Sequence, residues 1–253
     1  MNCTLSSDEL CENGDMYSAI TEQEFWEHLQ SVSAEVDDAI AVFHTYEEIL
    51  RLGSEDDAVF RAFNANAMFW NVQKVSLQTT IFVALNRLFE TDANALSIHR
   101  LLNETLAHPE FFSKDALRRR KINLKIEPEY LDALIDGAWA PADASELRYL
   151  KKELKPHIQK FTEIYQPIRH TYYAHRLLQT DQPVAKLFSL TNRSELRQIL
   201  NFLHELVEDI WHLYQNGMKP EFGKQRIAHD SEATKSVREV INKVVGLQPT
   251  LDE

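Results

Sequence analysis

Along most of the chain, apolar residues recur at intervals of three and four, the spacing of one buried helix face. The first stripe is Phe25, Leu29, Val32, Val36, Ile40, Phe43 and Ile49-Leu50. Thr21, followed three residues on by Glu24, matches a capping box and marks the start of this helix. Gly53 is its expected C-cap. Ser54, with Asp57 three residues on, is expected to cap a second helix that reaches Glu90. Its stripe is Phe60, Phe63, Ala67, Trp70, Leu77, Ile81, Ala84-Leu85 and Leu88. Such a helix spans roughly 55 Å at ~1.5 Å per residue. Two long helices joined by a short turn predict a bundle.

Shorter elements follow. Thr91 to Asn94 breaks the pattern, and a helix is expected from Ser97 to about Leu106. Pro109 sits where a helix can begin, since proline is tolerated at a first helical position. That segment leads into Lys114-Asp115-Ala116-Leu117-Arg118-Arg119-Arg120-Lys121. Pro128 to Ile135 reads as another short helix. A third long stretch runs from Ala142 to about Leu178. Pro156 and Pro167 interrupt it and predict kinks or a split. The fourth long helix is expected from Thr191 or Ser194 to about Tyr214, stopped by Gly217 and Pro220, with one weak helix at 232–245. The expected fold is all-α: an up-and-down four-helix bundle with extra short helices. Its expected divisions are a disordered leader at 1–18, a helical domain at 19–217 and a C-terminal extension at 218–253.

Composition narrows the function. The chain has 253 residues, 44% of them hydrophobic, enough for a substantial core. No apolar run approaches the ~18 residues of a membrane span. The first residues turn acidic at once, which is wrong for a signal peptide. Cys3 and Cys11 are the only cysteines, too few for a disulfide framework or a cysteine zinc site. A soluble, cytoplasmic protein is expected. The net charge of −12 is unevenly placed: residues 1–60 hold 15 acidic residues and one basic residue, Arg51. The remainder is nearly neutral and contains basic runs. One is Lys114, Arg118, Arg119, Arg120, Lys121 and Lys125; another is Arg148, Lys151, Lys152, Lys155 and Lys160. Such runs serve either as solvated helix faces or as phosphate contacts for a polyanion.

Several chemistries are poorly supported. No histidine has a glutamate three residues before it, as a carboxylate-bridged di-iron bundle requires. His204, Glu208 and His212 share a helix face but read better as polar surface. The glycines are scattered, which excludes a phosphate-cradling loop. The densest chemistry lies in Arg169-His170-Thr171-Tyr172-Tyr173-Ala174-His175-Arg176. A histidine there can exchange a proton near neutral pH, and an arginine can clamp a phosphate with two hydrogen bonds. Six helical positions rotate about 240°, so Arg169 and His175 do not share a face of one straight helix. They would flank an edge or meet the same pair from a second copy. Spacing alone is a weak signal, because Arg197 and His204 satisfy it too. A helix end with satisfied polar residues is the plain alternative.

The Arg169–Arg176 stretch resembles the HEPN superfamily signature, in which an arginine and a polar residue precede a histidine by a few positions. A second region agrees. Ala84-Leu85-Asn86-Arg87-Leu88-Phe89-Glu90, followed by Ser97-Ile98-His99-Arg100-Leu101-Leu102, is similar to the AbiU-type branch associated with phage abortive infection. The resemblance implies a four-helix core that often dimerises. It also implies a metal-independent endoribonuclease that needs no cofactor and leaves 2′,3′-cyclic phosphate and 5′-hydroxyl ends. His175 would then be the acid–base group and Arg169 the phosphate ligand. His170 stands at the polar position, where Asn or Asp is commoner. RNA contacts are expected from Tyr172, Tyr173, Arg176, Arg118, Arg119, Arg120 and Lys121. The expected partners are a second copy of the chain, an RNA substrate and an antitoxin protein, in a phage-defence or toxin role and with no membrane. The alternative is a non-catalytic HEPN-like scaffold whose acidic helix docks a protein partner.

Overall fold

A computed structural model of the chain describes residues 20–122, 128–168, 191–223 and 232–246. Among them there is no strand. The helices are α1 (Glu22–Glu55), α2 (Asp57–Ala65), α3 (Ala67–Leu88), α4 (Ile98–Ala107), α5 (Lys114–Ile122), α6 (Pro128–Gly137), α7 (Arg148–Lys160), α8 (Arg193–Asn216) and α9 (Glu232–Val245). Short 3₁₀ turns at Pro109–Phe112 and Ala144–Leu147 precede α5 and α7. The expected leader at 1–18 lies outside the described residues.

Helix starts follow local chemistry. Thr21 and Glu24 form the expected capping box: the Glu24 carboxylate accepts from the Thr21 amide at 2.7 Å, and Thr21 Oγ1 accepts from the Glu24 amide at 3.2 Å. Ser97 Oγ accepts from the Arg100 amide to start α4. The expected boundary at Gly53 is wrong by a turn. Helix α1 continues through Gly53 to Glu55, and Arg51 binds both Glu48 and Glu55 across that stretch. Ser54 Oγ donates back to the Arg51 carbonyl, so it is not a cap. Asp56, in an extended conformation, caps α2 by accepting from the Ala58 and Val59 amides.

The expected single helix to Glu90 is also divided, at Asn66. Asn66 has φ −124° and ψ 41°, and its side chain reaches the Ala62 carbonyl. Asparagine competes with the helix for its own backbone groups, which explains a break without Pro or Gly. Helix α7 accommodates Pro156 internally and then widens into a π-helical turn at Phe161–Tyr165, followed by a last α-turn at Gln166–Ile168. The Gln166 amide donates to the Phe161 carbonyl, five residues back. Pro167 has no N–H to donate, and its ring would crowd the preceding turn; the wider turn relieves that conflict.

The described residues fall into two compact units. One lies within Met1–Ala34, Leu88–Ile158 and Phe202–Gln225, the other within Glu35–Arg87, Gln159–Asn201 and Arg226–Glu253. In the first, Phe25 packs against Phe111, Phe112 and Tyr214, and Trp26 stacks on Tyr214. Leu101, Leu150 and Ile210 are buried in the same unit. It also contains a buried carboxylate, Glu104, fully shielded from solvent. Arg100 Nε donates to it at 2.7 Å, and His28 Nδ1 lies 3.0 Å from both its oxygens. Helix α8 ends at Gly217, whose φ of +62° sends the Gly217 and Met218 amides back to the Leu213 and His212 carbonyls.

In the second unit Ile40, Phe43, Phe82, Leu85, Tyr165, Ile168 and Leu200 are buried. A separate cluster joins Ile49, Val59, Trp70 and Ile241, with Phe63 and Val237 against it. Helix α9, expected to be weak, is thus fixed by burying Ile241. This unit leaves Met68, Phe69, Val72 and Val75 exposed, Met68 at 84%.

Candidate functional site

The second unit describes the chain on both sides of the Arg169–Arg176 stretch. On one side is the π-helical turn with Tyr165 and, after it, Ile168, both fully buried. On the other is the start of α8, where the Asn192 side chain accepts from the Ser194 amide at 2.8 Å. The two sides meet: Tyr165 Oη donates to the Asn192 carbonyl at 3.3 Å. Burial pushes the Tyr165 phenol up to about 12, so it remains a donor at neutral pH.

Beside this contact lies an open cavity of about 930 Å³, lined among the described residues by Ile164, Thr191, Asn192, Arg193, Glu195, Arg197 and Glu47. A smaller cavity of about 170 Å³ shares Glu47, Arg193 and Arg197 and adds His44, Glu48 and Arg51. The acids here are matched. Arg197 pairs with Glu47, its guanidinium 6.0 Å from the Phe43 ring. Glu195 faces Lys160 at 3.9 Å. Arg51 and Arg238 donate to Glu48 at 2.8 and 2.7 Å. Burial raises the Glu48 carboxyl, but those two arginines outweigh it and hold the carboxyl below its usual value. Arg193 differs: it is exposed and forms no ion pair with another described residue. Its charge is felt at Tyr46, whose phenol burial raises and Arg193 pulls back. The sequence pattern placed the start of α8 here but gave Arg193 and Tyr165 no role. The Asn192-Arg193-Ser194 cap is the signal that points to them.

The predicted site residues Arg169, His170, Tyr172, Tyr173, His175 and Arg176 lie outside the described residues. The predicted basic run is described from Lys114 to Lys121, with Lys125 outside the described residues, and it is not one free strip. Arg118 bonds Asp132 at 2.7 Å, and Arg119 faces Glu22 at 3.6 Å. Arg120 is largely buried, binds Glu22 and the Phe111 and Tyr214 carbonyls, and sits 3.9 Å from the Tyr214 ring centre. Lys121 is buried and donates to Asn216. Burial, and then Arg120, lower its pKa. Of Arg118, Arg119, Arg120 and Lys121, Arg118 and Arg119 keep substantial exposure, and Lys114 is exposed and donates to the Asp136 carbonyl. In the acidic helix, Glu47 and Glu48 are likewise engaged by arginines rather than left for a partner.

Glu208 and His212 face each other at 3.8 Å on α8. Among the described residues no three His, Cys, Asp or Glu side chains are grouped to hold a metal ion. No described helix is long and apolar enough to cross a membrane.

No curated protein and no solved structure matches this chain. One family model does, HEPN_AbiU2, described as AbiU2, over residues 22–237. That range takes in the described helices up to the first part of α9, the Ala84–Leu102 region and the whole Arg169–Arg176 stretch. The all-α architecture, with its long helices separated by short ones, is the one the family implies. The chain belongs to the AbiU2 branch of the HEPN superfamily.

Proposed function

We propose that the protein is a metal-independent endoribonuclease of HEPN type, acting in the cytoplasm in phage defence or as a toxin. The observation that carries this reading is the family match across an intact Arg169–His175 pair. In the reaction the ribose 2′-hydroxyl attacks the adjacent phosphorus. The 2′-O–P bond forms and the P–O5′ bond breaks, leaving a cyclic phosphate. Neutral His175 accepts the 2′-hydroxyl proton, and an imidazolium returns a proton to the departing 5′-oxygen. Arg169 binds the non-bridging oxygens and stabilises the charge that develops on them. His170 is a second polar group beside the phosphate, while Tyr172, Tyr173 and Arg176 hold the flanking strand. Of the basic run, Arg118 and Arg119 are the RNA contacts; Arg120 and Lys121 hold the fold.

A second copy of the chain completes the site, because one straight helix does not bring Arg169 and His175 to the same face. The exposed Met68, Phe69, Val72 and Val75 support such an association. An antitoxin protein would restrain the enzyme.

The test is RNA cleavage by purified protein in excess EDTA, compared with His175→Ala. Cyclic-phosphate products from the wild type and none from the variant are expected. Absence of cleavage by either protein on several RNAs would replace this reading with a non-catalytic scaffold, for which the same exposed apolar residues would be the docking face.

A further inference from the structure

We infer that the second unit pairs with a second copy of the chain through the apolar face shared by α3 and α9, the α3 ridge of each copy seating in the groove of the other. This names a surface for the association invoked above. It rests on that reading for what the pairing serves, and on the face itself for the pairing.

The first ground is the sequence of α3. From Ala67 to Asn86 it carries one charged side chain, Lys74. Its inner face, with Trp70, Ile81 and Leu85, is buried in the unit. Its outer face is apolar as well, with Met68, Phe69, Val72 and Val75 exposed. A helix that is apolar on both sides belongs inside a protein, so one chain leaves α3 half covered.

The second ground is shape. At about 100° per residue, Met68, Val72 and Val75 fall within roughly 60° of one another and form a ridge. Phe69 stands next to them, and beyond it a groove of about 750 Å³ runs between α3 and α9. Buried Ile49, Trp70 and Ile241 make its floor, and exposed Phe69, Val240 and Val244 its rim. A two-fold pair needs a patch complementary to itself, and a ridge beside a groove is such a patch. A foreign helix in the groove would leave the ridge in water; a second copy covers both.

The third ground is charge and area. None of the described residues lining the groove is ionisable, and neither is any residue of the ridge. The face therefore offers nothing to a phosphate or to a charged peptide, and two copies of it do not repel. Weighted by their exposure, Met68, Phe69, Val72, Val75, Val240 and Val244 leave roughly 700 Å² accessible, above the ~300–600 Å² of the largest apolar patch on a typical monomer. With Asn66, Gln73 and Ser236 set among them, the face approaches the ~800 Å² that each partner gives to a standard interface.

Sedimentation equilibrium of the full chain, without RNA, tests the pairing. The wild type is expected to dimerise. Val72→Glu on the ridge and Val240→Lys on the rim should each raise the dimer Kd about thirty-fold or more, since each buries an unpaired charge at both ends of a two-fold interface. Both positions are exposed, so both variants should melt with the parent, which circular dichroism checks. Mixed together, the two variants should associate again. One ridge-to-groove contact then joins opposite charges, and the other is the wild-type pair. A wild type still monomeric at about 100 μM would overturn the pairing and leave the groove to another protein's helix. An unchanged dimer in both variants would overturn it too, as would a mixture that associates no better than its parts. The ribonuclease reading stands or falls separately. A dimer lost in Val72→Glu, with no RNA cleavage by wild type, would sink the enzyme and keep the interface. Cleavage by a monomeric wild type would do the reverse.

Discussion

Tyr165 and Asn192 are joined by a single hydrogen bond, phenol to backbone carbonyl, at 3.3 Å. Tyr165 closes the π-helical turn before the Arg169–Arg176 stretch, and Asn192 caps the helix after it. The bond therefore fixes the separation of the two chain ends from which that stretch departs.

Tyr165→Phe keeps the buried ring and removes only this bond. A loss of about 1 kcal/mol is expected, the usual net worth of such a bond. Urea denaturation monitored by circular dichroism measures it. A stability equal to the wild type would show that the bond contributes nothing.

Gly217→Ala should be far more damaging than its size implies. The backbone there is left-handed at φ +62°, and an added Cβ would lie 2.5 Å from Ala138 Cβ and 3.0 Å from Leu117. Strain and overpacking each cost about 1–3 kcal/mol. A fall of about 2 kcal/mol or more is expected in the same denaturation experiment. Gly223→Ala is the control: φ is also positive, but nothing lies within 4 Å, so only the strain remains.

Glu104→Ala should destabilise by about 3 kcal/mol, because it leaves the Arg100 guanidinium without its buried carboxylate. Glu104→Gln should cost less, since the amide oxygen can still accept one bond. Thermal melts of the two variants test the order, and equal melting would contradict a charge role for Glu104.

His99 should make the fold acid-sensitive. Its Nε2 is buried with no hydrogen-bond partner. Burial, and secondarily Lys151, push its pKa down to about 4, against the pull of Glu90. The unfolded chain takes up this proton near pH ~6.5, whereas the folded protein resists until about pH 4. The stability difference is therefore fully present above the upper value and is lost as pH falls towards the lower one. It amounts to at most about 3 kcal/mol. His99→Gln should flatten that part of the stability profile, measured by urea denaturation across the window. An unchanged slope would exclude His99 as its source.

The order and type of the helices were legible because burial here follows helical spacing. Phe25, Leu29, Val32 and Val36 all lie in the core where their periodicity put them. The capping box at Thr21 and the stop at Gly217 were legible for the same local reason. The break at Asn66 was not, because the stripe runs straight through it and asparagine is a weaker signal than proline. Nor was the extension of α1 past Gly53, which depends on Arg51 reaching carboxylates on two turns.

The sequence by itself determined where the described residues form helices, since periodicity and caps are local properties; membership of the HEPN superfamily came from the family match over residues 22–237, not from the Arg169–His175 spacing. Only the tertiary structure decided what the charges do. Arg118, Arg119, Arg120 and Lys121 look alike in sequence, yet Arg120 and Lys121 are buried against Tyr214 and Asn216 while Arg119 remains exposed. Arg193 and Arg197 lie one helical turn apart, yet Glu47 reaches only the second. Whether a cation is free or matched depends on carboxylates far along the chain, and that proximity exists only once the helices pack.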